Sequence, residues 1–137
     1  LVVNEDRKKI SSRVAMEQCV QTSTTFASWI EKAKKDFVLM KEALKEADFE
    51  KIGEITESNA LAMHETTTTA SPSFTFLTEE SHRAMDIVKQ LRSQGYKCYF
   101  TMDAGPNVKV LYLKEDQEKL YEEISKLWNK KIILCME

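Results

Sequence analysis

Apolar positions in the first half of the chain recur at the three- and four-residue spacing of a helix face. One such face is predicted between Trp29 and Leu44, with charged residues on the opposite side. Its apolar members are Trp29, Ile30, Ala33, Phe37, Met40 and Leu44. Ser11 and Ser12 offer cap oxygens for a helix that starts near Arg13, and Asp48 offers one for a later helix. The helix at Trp29–Leu44 and the helix that begins after Asp48 are predicted to form a helical hairpin.

The second half of the chain contains segments with the pattern of strands. Apolar residues alternate with other residues over Cys98–Met102 and again over Val108–Leu113, and the turn at 103–107 separates them. These two strands are expected to pair as a hairpin. Leu1–Val3 and Lys131–Cys135 are also interpreted as strands.

Helix and loop signals surround these strands. Thr78, followed by two glutamates, predicts a helix start, because acidic residues in the first turn suit the helix dipole. Gly95 suits the position just after that helix, and Asp116 opens a further one. The Thr- and Ser-rich segment Glu65–Ser73, which contains Pro72, is predicted to be a loop. Within it, the threonine run Thr66–Thr69 is a candidate mobile substrate loop, although a solvated loop is the plainer interpretation. Four or five helices and three or four short strands in this order indicate the α+β class, with helices on one face of an antiparallel sheet.

Composition and charge exclude several classes of protein. The 137 residues are 42% hydrophobic and 31% charged, which predicts a soluble globular chain of one domain, or two at most. The net charge of −2 does not support a bulk attraction to nucleic acid or to an anionic membrane. No apolar run approaches the roughly 18 residues that a membrane-spanning helix needs. The N-terminal segment lacks the pattern of a secretory signal, and the abrupt apolar start is expected of a fragment of a longer chain.

The cysteines and histidines offer little chemistry. Cys19, Cys98 and Cys135 are far apart in the sequence, so reduced, buried thiols in a cytoplasmic protein are expected rather than a disulfide framework or a zinc site. His64 and His82 stand outside any metal-binding motif, and His64 is expected to pack or cap near the end of its helix. The mixed charges from Glu31 to Lys51 are interpreted as a solvated helix face.

The turn after Met102 is the most informative candidate site. Asp103 places a carboxylate at the end of a buried strand, Gly105 lets a ligand approach the backbone, and Pro106 makes the turn rigid. A carboxylate held in this way can act as a general base or orient a hydroxyl nucleophile. The alternative is a structural role in which Asp103 only bonds backbone amides of its own turn.

Ser12 and Arg13 form a second candidate site. A helix N-terminus with free amides, a hydroxyl and a guanidinium can bind a phosphate group. The alternative is an ordinary N-cap followed by a solvated arginine. Met16 and the other methionines are, on residue type alone, core-filling side chains.

Three segments together resemble the C-terminal part of the mevalonate diphosphate decarboxylase family, which belongs to the GHMP kinase superfamily. They are YFTMDAGPNVKVL at Tyr99–Leu111, SSRVAMEQCVQTS at Ser11–Ser23, and FEKIGEITESNALAMH at Phe49–His64. The D-A-G-P-N turn is the most specific of these signals, and the similarity is greatest to enzymes of Gram-positive bacteria. It implies that residues 1–137 form the ferredoxin-like GHMP C-terminal domain.

The resemblance also implies a reaction and its residues. The family uses ATP to convert mevalonate 5-diphosphate to isopentenyl diphosphate, phosphate and carbon dioxide in isoprenoid biosynthesis. Its catalytic acid at the C3 hydroxyl matches Asp103. Its substrate contacts match Ser12, Arg13 and Met16, and the turn residues Ala104 and Gly105 are expected to border the substrate.

The family's phosphate-binding loop, rich in Gly and Ser, has no match in this chain. The N-terminal ATP-binding domain is therefore expected to be absent, with ATP and Mg²⁺ bound only in the complete enzyme, which the family implies is a homodimer. In the segment that follows Met63, Pro72–Ser73 stands where the family's usual loop has a Pro-Pro near its end.

Two other functions compete with this interpretation. A related GHMP kinase domain would phosphorylate without decarboxylating, but such kinases carry a Gly-rich motif in place of D-A-G-P-N. A non-enzymatic interaction module would need a large exposed apolar stripe.

Overall fold

A computed structural model describes residues 1–4 and 11–135 of the chain. They contain five α-helices, one short 3₁₀-helix and two strands. The chain divides into two compact units, a helical unit at Arg7–Phe76 and a sheet unit made of Leu1–Asp6 and Leu77–Glu137. No helix within the described residues is long and apolar enough to cross a bilayer.

The helical unit contains three helices whose ends agree with the predicted caps. They are α1 at Ser12–Thr22, α2 at Phe26–Glu46 and α3 at Phe49–Thr68. The Ser11 hydroxyl accepts a hydrogen bond from the Val14 amide, and the Asp48 carboxylate accepts one from the Lys51 amide. Between α2 and α3, Ala47 has a left-handed backbone (φ 52°), which ends one helix and lets the next begin. The predicted helical hairpin is confirmed.

The surface that α2 turns toward α3 differs from the predicted apolar face. Phe37 and Leu44 remain 65% and 59% exposed, so the stripe assigned from spacing is only partly covered. Small residues instead fill the inter-helix contact. Ala43 on α2 and Gly53 and Ala60 on α3 are buried, and their size allows close packing.

Asp36 corrects the interpretation of residues 31–51 as a solvated charged face. It is only 8% exposed. Its carboxylate accepts hydrogen bonds from Lys32 Nζ at 2.6 Å and from Asn59 Nδ2 of α3 at 3.0 Å. These partners compensate for the removal of the carboxylate from water.

The threonine run was wrongly predicted to be a loop, because α3 continues through Thr68. Thr66 and Thr67 are fully buried. Their hydroxyls donate to the carbonyl oxygens three residues earlier, those of Met63 and His64, each at 2.7 Å. A polar residue whose hydroxyl is satisfied inside its own helix can be buried, so threonine composition did not indicate exposure here.

The sheet unit is built on α4, at Glu79–Ser93, and on a hairpin. Thr78 caps α4 as predicted, and Gly95, with φ 98°, follows its end. Strand β1 (Cys98–Thr101) pairs antiparallel with β2 (Lys109–Tyr112), and Phe100 lies opposite Val110. The predicted hairpin is confirmed.

The core of the sheet unit joins α4, β1 and the last helix, α5, at Gln117–Leu127. A 3₁₀ turn at Lys114–Asp116 precedes α5. The apolar side chains that are almost completely buried in this unit are Ala84, Val88, Leu91, Cys98, Phe100, Val108 and Leu120. Tyr99 is also buried, on the other side of β1, where the Arg92 guanidinium lies 4.5 Å from its ring centre.

The predicted terminal strands are wrong for the described residues. Leu1–Val3 and Lys131–Cys135 have no strand assignment. Leu1 exchanges two backbone hydrogen bonds with Val108, and the Val2 amide donates to the Lys131 carbonyl at 3.0 Å. These bonds do not continue into a ladder, so the described sheet has two strands instead of three or four. The α+β class itself is confirmed.

Candidate active site

The predicted site residues occur in both units, with Asp103, Ala104 and Gly105 in the turn after β1 of the sheet unit. Met102 is buried beneath the turn, and the side chain of Asp103 is 67% exposed. The Gly105 amide donates to the Asp103 carbonyl at 2.7 Å, which closes a very short turn. The Asp103 carboxylate is thus presented at the end of a buried strand, as predicted.

A lysine of the second strand accompanies this carboxylate. Lys109 Nζ lies 3.1 Å from Asp103 Oδ2, and the Lys109 side chain is 57% exposed. Lys109 is paired with Thr101 in the hairpin register, so this ion pair connects the two sides of the turn. An exposed pair of this kind contributes little to stability, so its main effect is to orient the two charged groups.

Hydrogen bonds within the sheet unit also hold the other end of the turn, at Pro106 and Asn107. Ser81 Oγ of α4 donates to the Pro106 carbonyl at 2.7 Å. Asn107 Oδ1 accepts from the Val3 amide at 2.8 Å and from the Asn4 amide at 3.1 Å. Sequence reasoning did not identify Ser81, although the Thr-x-x-Ser spacing from Thr78 was a signal for a capping interaction.

Ser12, Arg13 and Met16 lie in the first turns of α1, in the helical unit. Ser11, one residue earlier, performs the capping. Ser12 and Arg13 are exposed and Met16 is half-buried. The N-cap of α1 is therefore Ser11 and not Ser12.

The histidines and cysteines do not form a recognisable catalytic or metal-binding group among the described residues. His64 is buried, with its ring edge-on to Phe76 at 6.5 Å between centres, and His82 is exposed. Cys19, Cys98 and Cys135 are free thiols. Cys19 and Cys98 are buried as expected, but Cys135 is exposed, so the expectation of a buried thiol is wrong at that position. Among residues 1–4 and 11–135, no three His, Cys, Asp or Glu side chains are grouped in a way that could hold a metal ion.

These features define an α+β domain with an exposed carboxylate on a hairpin turn that is held by hydrogen bonds. Residues 1–134 match the family model described as the mevalonate 5-diphosphate decarboxylase C-terminal domain. The chain belongs to this family, and the resemblance inferred from its motifs is confirmed.

Individual relatives agree with the family match. The structure of mevalonate pyrophosphate decarboxylase from Streptococcus pyogenes is 54% identical, with a TM-score of 0.92 over 97% of this chain and 42% of that chain. The structure of MDDEF in complex with MVAPP, AMPPCP and magnesium is 44% identical, with a TM-score of 0.89 over 93% of this chain and 39% of that chain. Diphosphomevalonate decarboxylase of Saccharomyces cerevisiae is 32% identical over 141 residues, 96% of this chain and 35% of the relative. The chain thus spans about a third of the length of its curated relatives.

Proposed function

We propose that this chain is the substrate-side C-terminal domain of an ATP-dependent mevalonate 5-diphosphate decarboxylase. The complete enzyme converts mevalonate 5-diphosphate to isopentenyl diphosphate, phosphate and carbon dioxide. The observation that carries the proposal is the position of Asp103, an exposed carboxylate on a turn held by hydrogen bonds, in a chain that belongs to the decarboxylase family.

Asp103 is proposed to act as the acid/base at the C3 hydroxyl of the substrate. Its carboxylate accepts the hydroxyl proton as the C3 oxygen forms a bond to the γ-phosphorus of ATP. The bond between that phosphorus and the bridging β-phosphate oxygen breaks in the same step, and ADP leaves with its electron pair. The C3–O bond then breaks and phosphate leaves with that electron pair. The bond between the carboxylate carbon and C2 breaks next, and its electron pair forms the new double bond as carbon dioxide departs. A fixed carboxylate also stabilises positive charge that develops at C3.

Substrate recognition is proposed for residues of both units. The Arg13 guanidinium can make two parallel hydrogen bonds to a carboxylate or a diphosphate, and the Ser12 hydroxyl can add a third contact. Met16 supplies an apolar surface beside them. In the turn, Ala104 and Gly105 have small side chains or none, which leaves space for the substrate next to Asp103.

ATP and Mg²⁺ are proposed to bind outside this chain, in an N-terminal domain of the GHMP kinase type. The residues described here do not fit a magnesium site, since they lack a group of carboxylates that could hold the ion. The complex of MDDEF with MVAPP, AMPPCP and magnesium supports a nucleotide and a cation as components of the complete enzyme. We propose that this enzyme is a cytoplasmic homodimer.

The test is carbon dioxide release from mevalonate 5-diphosphate by the full-length enzyme, with the parent compared with Asp103→Asn. This substitution preserves size and removes the charge and basicity of the carboxylate. We expect a loss in kcat of about 10²- to 10⁴-fold, the usual contribution of general acid–base catalysis. Asp86→Asn, which alters an exposed carboxylate on α4, is the matched control and should retain parental activity.

Two results would contradict the proposal. If Asp103→Asn keeps kcat within threefold of the parent, then Asp103 is not the acid/base. If the parent transfers phosphate from ATP without releasing carbon dioxide, the enzyme is a kinase of the same superfamily.

A further inference from the structure

Ser81 is a fully buried polar residue at the start of α4. Its relative exposure is 0%. Its amide donates to Thr78 Oγ1 at 3.2 Å, and its own hydroxyl accepts from the Thr78 amide at 3.0 Å. The two residues therefore form a reciprocal capping box. The same hydroxyl donates its proton to the Pro106 carbonyl oxygen at 2.7 Å.

The choice of residue at this position is informative. The third helical position of a capping box usually carries glutamate or glutamine. An ionised glutamate is an acceptor only, so it could satisfy the Thr78 amide but could not donate to Pro106. A serine hydroxyl accepts on one side and donates on the other. Ser81 thus performs a second task that a capping glutamate cannot perform.

That second task holds the turn that carries Asp103. Pro106 has no amide hydrogen of its own, so its part of the turn is held through its carbonyl oxygen. Only Ala104 and Gly105 separate Pro106 from Asp103, and the Gly105 amide is bonded to the Asp103 carbonyl. A displacement of Pro106 is therefore transmitted to Asp103 through a very short piece of chain.

Helix α4 is a suitable anchor because it is attached to β1 at its other end as well. Near the C-terminus of α4, Arg92 Nη1 donates to the Cys98 carbonyl at the start of β1, at 3.2 Å. Between the two ends, Ala84, Val88 and Leu91 are completely buried. The helix is thus fixed against the strand, and Ser81 extends that attachment to the turn beyond the strand.

We infer that Ser81 is a positioning residue for Asp103, an inference that rests on the proposed function. It acts through the Pro106 carbonyl and sets the place of the carboxylate relative to the substrate. Catalytic groups are sensitive to such placement, and a shift of about 1 Å can reduce the rate by about 10²-fold.

The experiment compares Ser81→Ala with Thr78→Ala in the full-length enzyme. Both variants weaken the cap of α4, but only Ser81→Ala removes the bond to Pro106. We expect Ser81→Ala to lower kcat by about 10- to 100-fold, with the KM for mevalonate 5-diphosphate changed less than threefold. Thr78→Ala should keep kcat within threefold of the parent. Hydrogen exchange of the Gly105 amide should accelerate in Ser81→Ala and not in Thr78→Ala.

A second variant covers the possibility that Ser81→Ala does not fold. Ser81→Cys nearly preserves the volume and replaces the hydroxyl with a weak donor, so an intermediate loss of kcat is expected. The inference is overturned if Thr78→Ala loses as much activity as Ser81→Ala, or if Ser81→Ala or Ser81→Cys keeps the parental kcat.

The same assay separates this inference from the proposed function. If Asp103→Asn abolishes carbon dioxide release while Ser81→Ala does not reduce it, only the positioning role is wrong. If Asp103→Asn keeps the parental rate, the acid/base role of Asp103 in the proposed function is wrong. The exchange rate of the Gly105 amide reports on the turn in either case.

Discussion

At the scale of single residues, Arg13 is the side chain that we propose binds the substrate through two parallel hydrogen bonds. It lies exposed in the first turn of α1, next to a helix cap that Ser11 provides. A guanidinium matches the two oxygens of a carboxylate or phosphate, whereas a lysine ammonium keeps the charge but not the fork of donors. Loss of one hydrogen bond to a charged group costs about 1.5–3 kcal/mol. We therefore expect Arg13→Lys to raise the KM for mevalonate 5-diphosphate at least about tenfold, with kcat within threefold, in steady-state assays of the full-length enzyme.

Arg83→Lys is the control for this residue-scale prediction. Arg83 is also exposed, but it lies on α4 and bonds to the Leu127 carbonyl, and it has no proposed contact with the substrate. This control should leave KM unchanged. A parental KM in Arg13→Lys would show that Arg13 does not make a paired contact, and an equal rise in both variants would indicate a general effect of the substitution.

At the scale of elements, helix ends were more predictable than terminal strands. Ser11, Asp48 and Thr78 all cap helices where the sequence indicated, because a cap is a local interaction between a side chain and nearby amides. The last predicted strand, Lys131–Cys135, failed because pairing depends on a distant partner that local alternation does not specify. The extension of α3 through Thr68 was missed for a related reason. Threonine hydroxyls can bond within a helix or in a turn, and composition does not distinguish the two.

The candidate site also has a part that local sequence predicts and a part that depends on distant contacts. The turn with Asp103 follows directly from a strand, a glycine and a proline adjacent in sequence, so it was predictable. Ser81 is 25 residues from Pro106, and its role depends on the packing of α4 against β1. A spacing rule can indicate the capping box, but it cannot indicate the carbonyl that receives the remaining hydroxyl proton.

The pairing of α2 with α3 gives an element-scale prediction. Asp36 connects Lys32 on its own helix to Asn59 on α3, and its side chain is 12% exposed. Asp36→Ala should lower the free energy of unfolding by about 1–3 kcal/mol, because it leaves the half-buried side-chain amide of Asn59 without this acceptor. Urea unfolding of the chain, followed by far-ultraviolet circular dichroism, measures the change.

Glu31→Ala on the same helix is the matched control for Asp36→Ala. Glu31 forms an ion pair with Lys34, but both side chains are well exposed, at 65% and 69%. Solvent screens this pair, so the unfolding midpoint should not move measurably. Equal destabilisation by the two variants would mean that the contact between α2 and α3 does not depend on the buried carboxylate.

At the scale of the whole molecule, the chain carries the family's C-terminal domain but spans only about two fifths of the related solved chains. Only three glycines occur in its sequence, and none belongs to a phosphate-binding loop rich in Gly and Ser. The residues proposed for proton transfer and substrate binding are present. Those needed to hold a triphosphate and its magnesium ion are proposed to lie in another domain.

We therefore expect the isolated 137-residue chain to be folded but inactive. Mixed with ATP, Mg²⁺ and mevalonate 5-diphosphate, it should release no carbon dioxide, and calorimetric titration with ATP and Mg²⁺ should give no binding heat. The same residues, joined to their N-terminal domain, should restore both signals, because the transferred phosphoryl group is then positioned against the C3 hydroxyl. Far-ultraviolet circular dichroism with a cooperative thermal transition would establish that the isolated chain is folded. Turnover or ATP binding by that folded chain would contradict the proposal that ATP and Mg²⁺ bind in another domain. It would require a nucleotide site within these residues.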